Sequence, residues 1–172
     1  MATATSTRNG AAKKTSRIVV RNSTIHGRGV FATTRIRKGT RIIEYTGRRV
    51  PWKKAKDEPP RDPRNPYHTF LFSLDNGDVI DAAVDGNEAR WINHSCDPNC
   101  ETTEEDDRVF VHALRTLRPG EELFYDYKIV PAERRSKKLE KHYACFCGTK
   151  KCRGTLLEPL KRRKRRQSKA KT

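Results

Sequence analysis

Three cysteines within eight residues, Cys145-x-Cys147-x4-Cys152, constrain this chain more than any other feature. Thiolates this close can share one metal ion, and three of them leave a tetrahedral zinc one ligand short. The two remaining cysteines, Cys96 and Cys100, lie together in Asn93-His94-Ser95-Cys96-Asp97-Pro98-Asn99-Cys100. If one of them completes the site, the end of the chain is tied to its middle. The alternative is a set of unrelated free thiols.

Between these points the sequence reads as many short strands. Ile18 to Val20, Val30 to Ala32, Arg41 to Tyr45, Thr69 to Leu74, Val79 to Ala82 and Val109 to Leu114 are rich in β-branched and aromatic residues. Gly, Pro, Asn and Asp separate them, and Asn76-Gly77 between two such runs is a hairpin signal. The expected fold is mostly β and antiparallel. Helical patterning is confined to a turn or two in Asn87 to Asn93 and to an amphipathic helix or loop from Pro131 to Tyr143. Residues 51–67 hold five prolines among many charges and read as an irregular surface insertion.

The chain's 172 residues accommodate one domain with tails to spare. Hydrophobic residues make up 34% and charged residues another 34%, and the polar excess collects at the two ends. Of the +17 net charge, eight positive charges fall from Lys161 to Lys171 with no acid among them. A like-charged run of this kind cannot bury itself; it reads as a disordered arm attracted to polyanions, nucleic acid first. A solvated tail with no specific partner is the plainer alternative. No apolar run is long enough for a transmembrane helix, and Met1 to Lys14 lacks the apolar stretch of a secretory signal. A soluble intracellular protein with reduced cysteines is the expectation.

Two further segments are ambiguous alone. His26-Gly27-Arg28-Gly29 lets the backbone turn or approach a ligand closely, but an ordinary tight turn would look the same. In Glu121-Glu122-Leu123-Phe124-Tyr125-Asp126-Tyr127 the two tyrosines share a strand face and could be core or surface residues. Taken in order with Glu44-Tyr45-Thr46-Gly47 and Arg90-Trp91-Ile92-Asn93-His94-Ser95-Cys96, they resemble the signature segments of SET-domain lysine methyltransferases. The cysteine cluster resembles the family's post-SET zinc segment, and the flavour is similar to the trithorax/mixed-lineage-leukaemia type. The resemblance covers residues 17–158.

The resemblance implies a β-clip-like fold of small curled antiparallel sheets with a C-terminal pseudoknot, an exception to the rule against threading. The layout it implies is a disordered basic arm over 1–16, a SET domain over 17–130, a linker and post-SET zinc segment over 131–158, and a disordered basic tail over 159–172. His26, Gly27, Arg28, Gly29, Asn93, His94 and Tyr127 would hold S-adenosylmethionine. Tyr127 would be the catalytic tyrosine, with Tyr125 and Tyr45 in the catalytic pocket. Cys96 would join Cys145, Cys147 and Cys152 on a structural zinc, leaving Cys100 without a role. The substrate would be a lysine of a basic protein such as a histone or a nucleoid protein. The site of action would be the nucleus or chromosome, or the cytoplasm and nucleoid of a prokaryote. The 16 residues before Arg17 carry none of the cysteine-rich pre-SET segment of several eukaryotic members, a minimal layout similar to prokaryotic or viral ones.

Tyr125 occupies a position where members carry Phe or Tyr, and Tyr there implies mono- or dimethylation. Phe70 stands where many have Tyr, a missing hydroxyl that Tyr67 could supply. The acidic run Glu101, Glu104, Glu105, Asp106, Asp107 reads first as a solvated hairpin tip and second as a recruiter of a basic substrate tail. The rival to an enzyme is a basic zinc protein that binds nucleic acid or chromatin without catalysis. Such a module would have no need for Tyr127 together with Asn93-His94 and Gly27-x-Gly29.

Overall fold

Residues 16–160 are described by the computed structural model. Strand β1 (Ile18–Asn22) pairs antiparallel with β2 (Arg28–Ala32), Val20 opposite Val30. A three-stranded sheet places β9 (Arg108–Ala113) between β3 (Arg41–Tyr45) and β8 (Cys100–Glu105). A second places β6 (Asp78–Asp81) between β4 (Arg48–Pro51) and β5 (Leu71–Ser73). Gly77 supplies the positive φ of +87° in the turn joining β5 to β6, as the Asn-Gly pair implies. The expected mostly antiparallel architecture of small sheets is what forms.

Several local readings shift. The run from Thr69 pairs only from Leu71, while Phe70 turns its ring onto Trp91 at 5.1 Å between centroids. The insertion opens with a single helical turn, α1 (Trp52–Ala55), and is otherwise irregular. The amphipathic stretch after Pro131 condenses to α2 (Lys137–His142), capped by Ser136, whose Oγ accepts from the Leu139 amide. Strands β4 and β8 were not legible. β8 carries the acidic run, and its partners offset a composition poor in strand formers: Arg41 bonds Glu105, and the amide of Asp75 donates to Glu104. Asp106 and Asp107, with φ of 50° and 59°, close a two-residue turn of the type that suits a twisted hairpin. The solvated hairpin tip is thus a real tip, though Glu104 and Glu105 are engaged.

The core lies where the sheets meet. Val30, Ile36, Ile92, Val109, Val111, Leu117 and Leu123 are all at or below 1% exposure. At this depth a Leu-to-Ala change costs about 2–5 kcal/mol. Leu123 matters most to the site, because its amide donates to Val30 O on β2 while the next residue turns to the other side. There β10 (Phe124–Tyr125) runs parallel to β7 (Asn93–His94), Phe124 beside Asn93 and Tyr125 beside His94. Residues 121–125 are therefore bonded on both flanks, by β2 and by the segment 93–99. Asn99 completes the grip, giving its Nδ2 hydrogen to Glu122 O at 2.7 Å and accepting from the Phe124 amide at 2.8 Å. This two-sided hold is the arrangement that the expected pseudoknot requires. Apart from Ser16, Pro159 and Leu160, the terminal arm and tail lie outside the described residues.

Candidate active site and metal centre

Asn93 leaves a 3-10 turn (Glu88–Trp91) with its side chain buried and aimed at the first hairpin. Its Nδ2 donates to Arg28 O at 2.9 Å and to Glu122 Oε1 at 3.0 Å, with His26 O at 3.3 Å. Ser23 Oγ donates to the other Glu122 oxygen at 3.0 Å. A Cβ at Gly29 would strike the Glu122 carboxylate and could be accommodated only by moving it from its bonds to Asn93 and Ser23. Gly27, with φ of +47°, has open space on its Cβ side. The His26 to Gly29 turn thus presents backbone next to Asn93. The side chains of His26 and Arg28 turn instead to aromatic rings, His68 at 5.6 Å and Trp91 at 4.9 Å.

His94 sits one residue further and is almost fully buried. The Tyr127 amide donates to its Nδ1 at 3.1 Å, so that nitrogen is an acceptor and the ring proton belongs on Nε2, 3.3 Å from Cys96 Sγ. Burial lowers the His94 pKa to about 4; Asp126 opposes this and Arg153 reinforces it. A neutral imidazole that fixes the Tyr127 backbone is the result.

Behind it the tyrosines converge. The rings of Tyr125 and Tyr127 lie 4.9 Å apart, and Phe72 bridges Tyr45 and Tyr125 at 5.4 and 6.4 Å. The Tyr127 hydroxyl donates to Ile92 O at 2.8 Å, and the Tyr45 hydroxyl to Phe70 O at 2.9 Å. Burial pushes all three phenols well above the usual tyrosine range. They are hydrogen-bond donors at neutral pH and cannot serve as phenolate bases. Tyr67 is spent elsewhere: its ring stacks on His142 at 4.3 Å and meets Tyr143 edge-on.

The sulfurs of Cys96, Cys145, Cys147 and Cys152 all lie within 4.8 Å of one another. Tetrahedral zinc–thiolate geometry asks for about 3.8 Å between sulfurs, and Cys96 and Cys145 stand at 3.7 Å. Backbone amides already point at three of the sulfurs: Arg153 at Cys96, Cys147 at Cys145 and Gly154 at Cys152, at 3.3 to 3.5 Å. Such N–H···S bonds favour the thiolate, so the donor set suits zinc. Between Cys96 and Cys100, the choice falls on Cys96. Cys100 is fully buried on β8, its thiol pushed up by burial to about 12, where it is an inert core residue. The cysteine segment is held to the body through parallel bridging of Ile129 with Leu157, and within it Ala144 bridges antiparallel to Thr155.

The tyrosines Tyr45, Tyr125 and Tyr127, the pair Asn93-His94, the glycine turn and the four clustered cysteines thus gather in one region. The side chains of His26 and Arg28 turn from Asn93, and Tyr67, Cys100 and the acidic run lie elsewhere. Glu122, Asn99, Asp126 and Arg153 were not foreseen. Their partners are 23 to 99 residues distant in sequence, and no local pattern marks a side chain for such a role.

Comparison with known proteins bears on this arrangement. A family model described as "SET domain" matches residues 27–128. The chain is 40% identical over 153 residues to the human histone-lysine N-methyltransferase 2B, covering 82% of this chain and 5% of that protein. It is 38% identical over 141 residues to trithorax of Drosophila virilis, a histone-lysine N-methyltransferase, covering 76% of this chain and 3% of the relative. It is 36% identical over 149 residues to the H3 lysine-4 specific histone-lysine N-methyltransferase of Saccharomyces cerevisiae, covering 84% of this chain and 13% of the relative. The chain therefore spans only a small part of the length of these relatives.

Proposed function

The chain belongs to the SET-domain family, and from that premise we propose that it transfers a methyl group from S-adenosylmethionine to the side-chain amine of a lysine in a basic protein, a histone or a nucleoid protein. The observation that carries the reading is the cluster of buried Tyr45 and Tyr125 with half-buried Tyr127 directly behind the Asn93-His94 pair and its glycine turn.

The donor supplies a sulfonium-bound methyl, whose carbon–sulfur bond breaks as the amine lone pair forms the new carbon–nitrogen bond. The chain's own task is alignment and desolvation, together with loss of one amine proton beforehand. In this reading Asn93 and the Gly27-Arg28-Gly29 backbone hold the donor's polar ends, and His94 holds Tyr127 in place. The aromatic walls take the aliphatic lysine stem and favour its cationic head. Low polarity then lowers the lysine pKa toward the neutral, nucleophilic amine. The Tyr127 hydroxyl and the Ile92 carbonyl, bonded to each other at 2.8 Å, would orient the amine.

Structural zinc on Cys96, Cys145, Cys147 and Cys152 would fold residues 145–155 against the site and take no part in the chemistry. The Tyr125 hydroxyl favours mono- or dimethylation. Chromatin in a nucleus, or a nucleoid, is the expected place of action, reached with help from the basic tail. Purified protein incubated with labelled S-adenosylmethionine and a panel of core histones and nucleoid proteins is the direct test. Label on lysine, lost in Tyr127→Phe, supports the assignment; label on no lysine in any basic protein overturns it.

A further inference from the structure

Outside the site, the isolated antiparallel bridge between Ile36 and Leu117 has a consequence for recognition. Two reciprocal backbone bonds, Ile36 N to Leu117 O at 3.1 Å and Leu117 N to Ile36 O at 2.8 Å, clamp two turns side by side. Both bridge residues are buried in the core, at 1% and 0% exposure. In extended backbone the neighbours of a buried residue point the opposite way. Arg35 and Arg37 on one turn and Arg118 on the other are accordingly exposed. Lys38 and Arg115 extend the row, and Arg17 joins it because its carbonyl accepts from the Thr33 amide.

Six cations thus flank the bridge. Among the residues lining the two depressions beside it the one carboxylate is Glu121, which pairs with Arg115, and Asp97 also lies near enough to act on Arg115. Among the described residues, Arg17, Arg35, Arg37, Lys38 and Arg118 make no ion pair. Two shallow clefts of about 430 and 540 Å³ run along the turns, lined by Arg35 and Arg37 in one and Arg115 and Arg118 in the other. The cleft of Arg17, Arg35 and Arg37 has no acid in its lining, and a cleft walled by one sign of charge concentrates counter-ions.

We propose that this face binds the phosphate backbone of duplex DNA, independently of the C-terminal run of basic residues. Five of the six cations are arginines, whose planar fork matches phosphate oxygens. Thr34, Thr40 and Thr116 stand among them with the hydroxyls that phosphate contacts commonly use. No aromatic side chain lines either cleft. Single-stranded nucleic acid would want stacking platforms, and an acidic protein partner would want an apolar anchor. The surface offers chiefly charge and hydroxyls, with no aromatic or large exposed apolar anchor among the lining residues, which meets the requirements of sequence-independent duplex binding.

The test uses the full chain and a duplex of random sequence, with binding followed by fluorescence anisotropy across a salt series. One variant combines Arg35→Gln, Arg37→Gln, Lys38→Gln and Arg118→Gln. A control removes the same number of charges elsewhere, by Lys53→Gln, Lys54→Gln, Lys56→Gln and Arg64→Gln. Circular dichroism establishes that both fold. The patch variant is expected to lose about 3 to 4 from the slope of log affinity against log salt, and about tenfold or more in affinity near physiological salt. The control is expected to lose much less. Equal losses in the two variants would mean that net charge alone draws DNA, and would overturn the proposal. So would a single-stranded oligonucleotide or an acidic peptide of matched charge competing as well as the duplex.

Discussion

Arg153 grips Asp126 at two points, Nη2 to Oδ1 at 2.7 Å and Nη1 to Oδ2 at 2.9 Å. Asp126 immediately precedes Tyr127, and Arg153 immediately follows Cys152. The same carboxylate reaches within 3.6 Å of His94 Nδ1, and the Arg153 amide donates to Cys96 Sγ. One residue therefore joins the cysteine cluster to the backbone that carries the central tyrosine. Arg153→Ala is expected to lower kcat about tenfold or more while metal content stays at one per chain. Arg153→Lys restores the charge without the fork and should recover only part of the loss. Full kcat in Arg153→Ala, with only the melting temperature lowered, would show that the pair merely braces the fold.

Tyr127→Phe separates chemistry from folding. The change removes one hydrogen bond, to Ile92 O, and leaves the ring packing on Tyr125 and His94 intact. A lost neutral hydrogen bond costs about 1 kcal/mol of stability, whereas losing a positioned donor at a reacting centre costs about a hundredfold or more in rate. A steep fall in turnover with a small shift in melting temperature is expected. Equal turnover in the two proteins would remove Tyr127 from the reaction.

How much of this could be read beforehand differs by kind of feature. The Asn76-Gly77 hairpin and the β1, β3 and β9 runs were legible, because alternation and turn chemistry are local signals. The cysteine quartet was legible in three members from spacing, whereas choosing Cys96 over Cys100 rested on resemblance; Cys96 Sγ lies with the other three sulfurs, and Cys100 is buried in the core. Strand β8 was hidden by its carboxylates, whose cost is met by arginines and amides far away in sequence. Glu122 carries no reading of its own in the sequence, yet it holds Asn93 and Ser23 and occupies the space beside Gly29. Long-range side-chain contacts have no sequence period, and that is why they escaped.

One zinc per chain is expected by elemental analysis of the purified protein. Cys152→Ser should abolish or sharply weaken its binding, while Cys100→Ser should leave metal content unchanged. Chelation should loosen residues 145–155, seen as faster amide exchange there, with β3 and β9 still protected. Undiminished zinc in Cys152→Ser would refute the assignment of the quartet.

Product degree can be tied to a single hydroxyl. Tyr125 is buried beside Phe72 and Tyr127, and under the proposed function its hydroxyl would limit the space for a second or third methyl. Tyr125→Phe should move mass spectra of the product peptide toward di- and trimethyl-lysine. Phe70→Tyr is the complementary change, adding an oxygen at a ring already packed on Trp91 and His68. A distribution unmoved by either substitution would place the control outside this aromatic cluster.

Acid sensitivity should trace to Asp81, whose side chain is only 5% exposed on β6. Burial alone would raise its pKa, but hydrogen bonds from Arg61, the Ala83 amide and Arg48 outweigh it and hold the carboxyl below its usual value. A depressed folded pKa means the stabilisation is present above the unfolded value, about 3.9 for Asp, and is lost as pH falls through the folded one. Both guanidinium groups are substantially exposed, at 40% and 54%, so solvent screens the pairs. The contribution is then about 1 kcal/mol. Asp81→Asn should melt a few degrees lower than the parent at pH 7, with the two curves converging below about pH 4. Because Arg61 belongs to the insertion, the same variant should also be cut faster by trypsin at Lys53 to Lys56. A gap in melting temperature that persisted undiminished into strong acid would mean that Asp81 acts through packing and not through its charge.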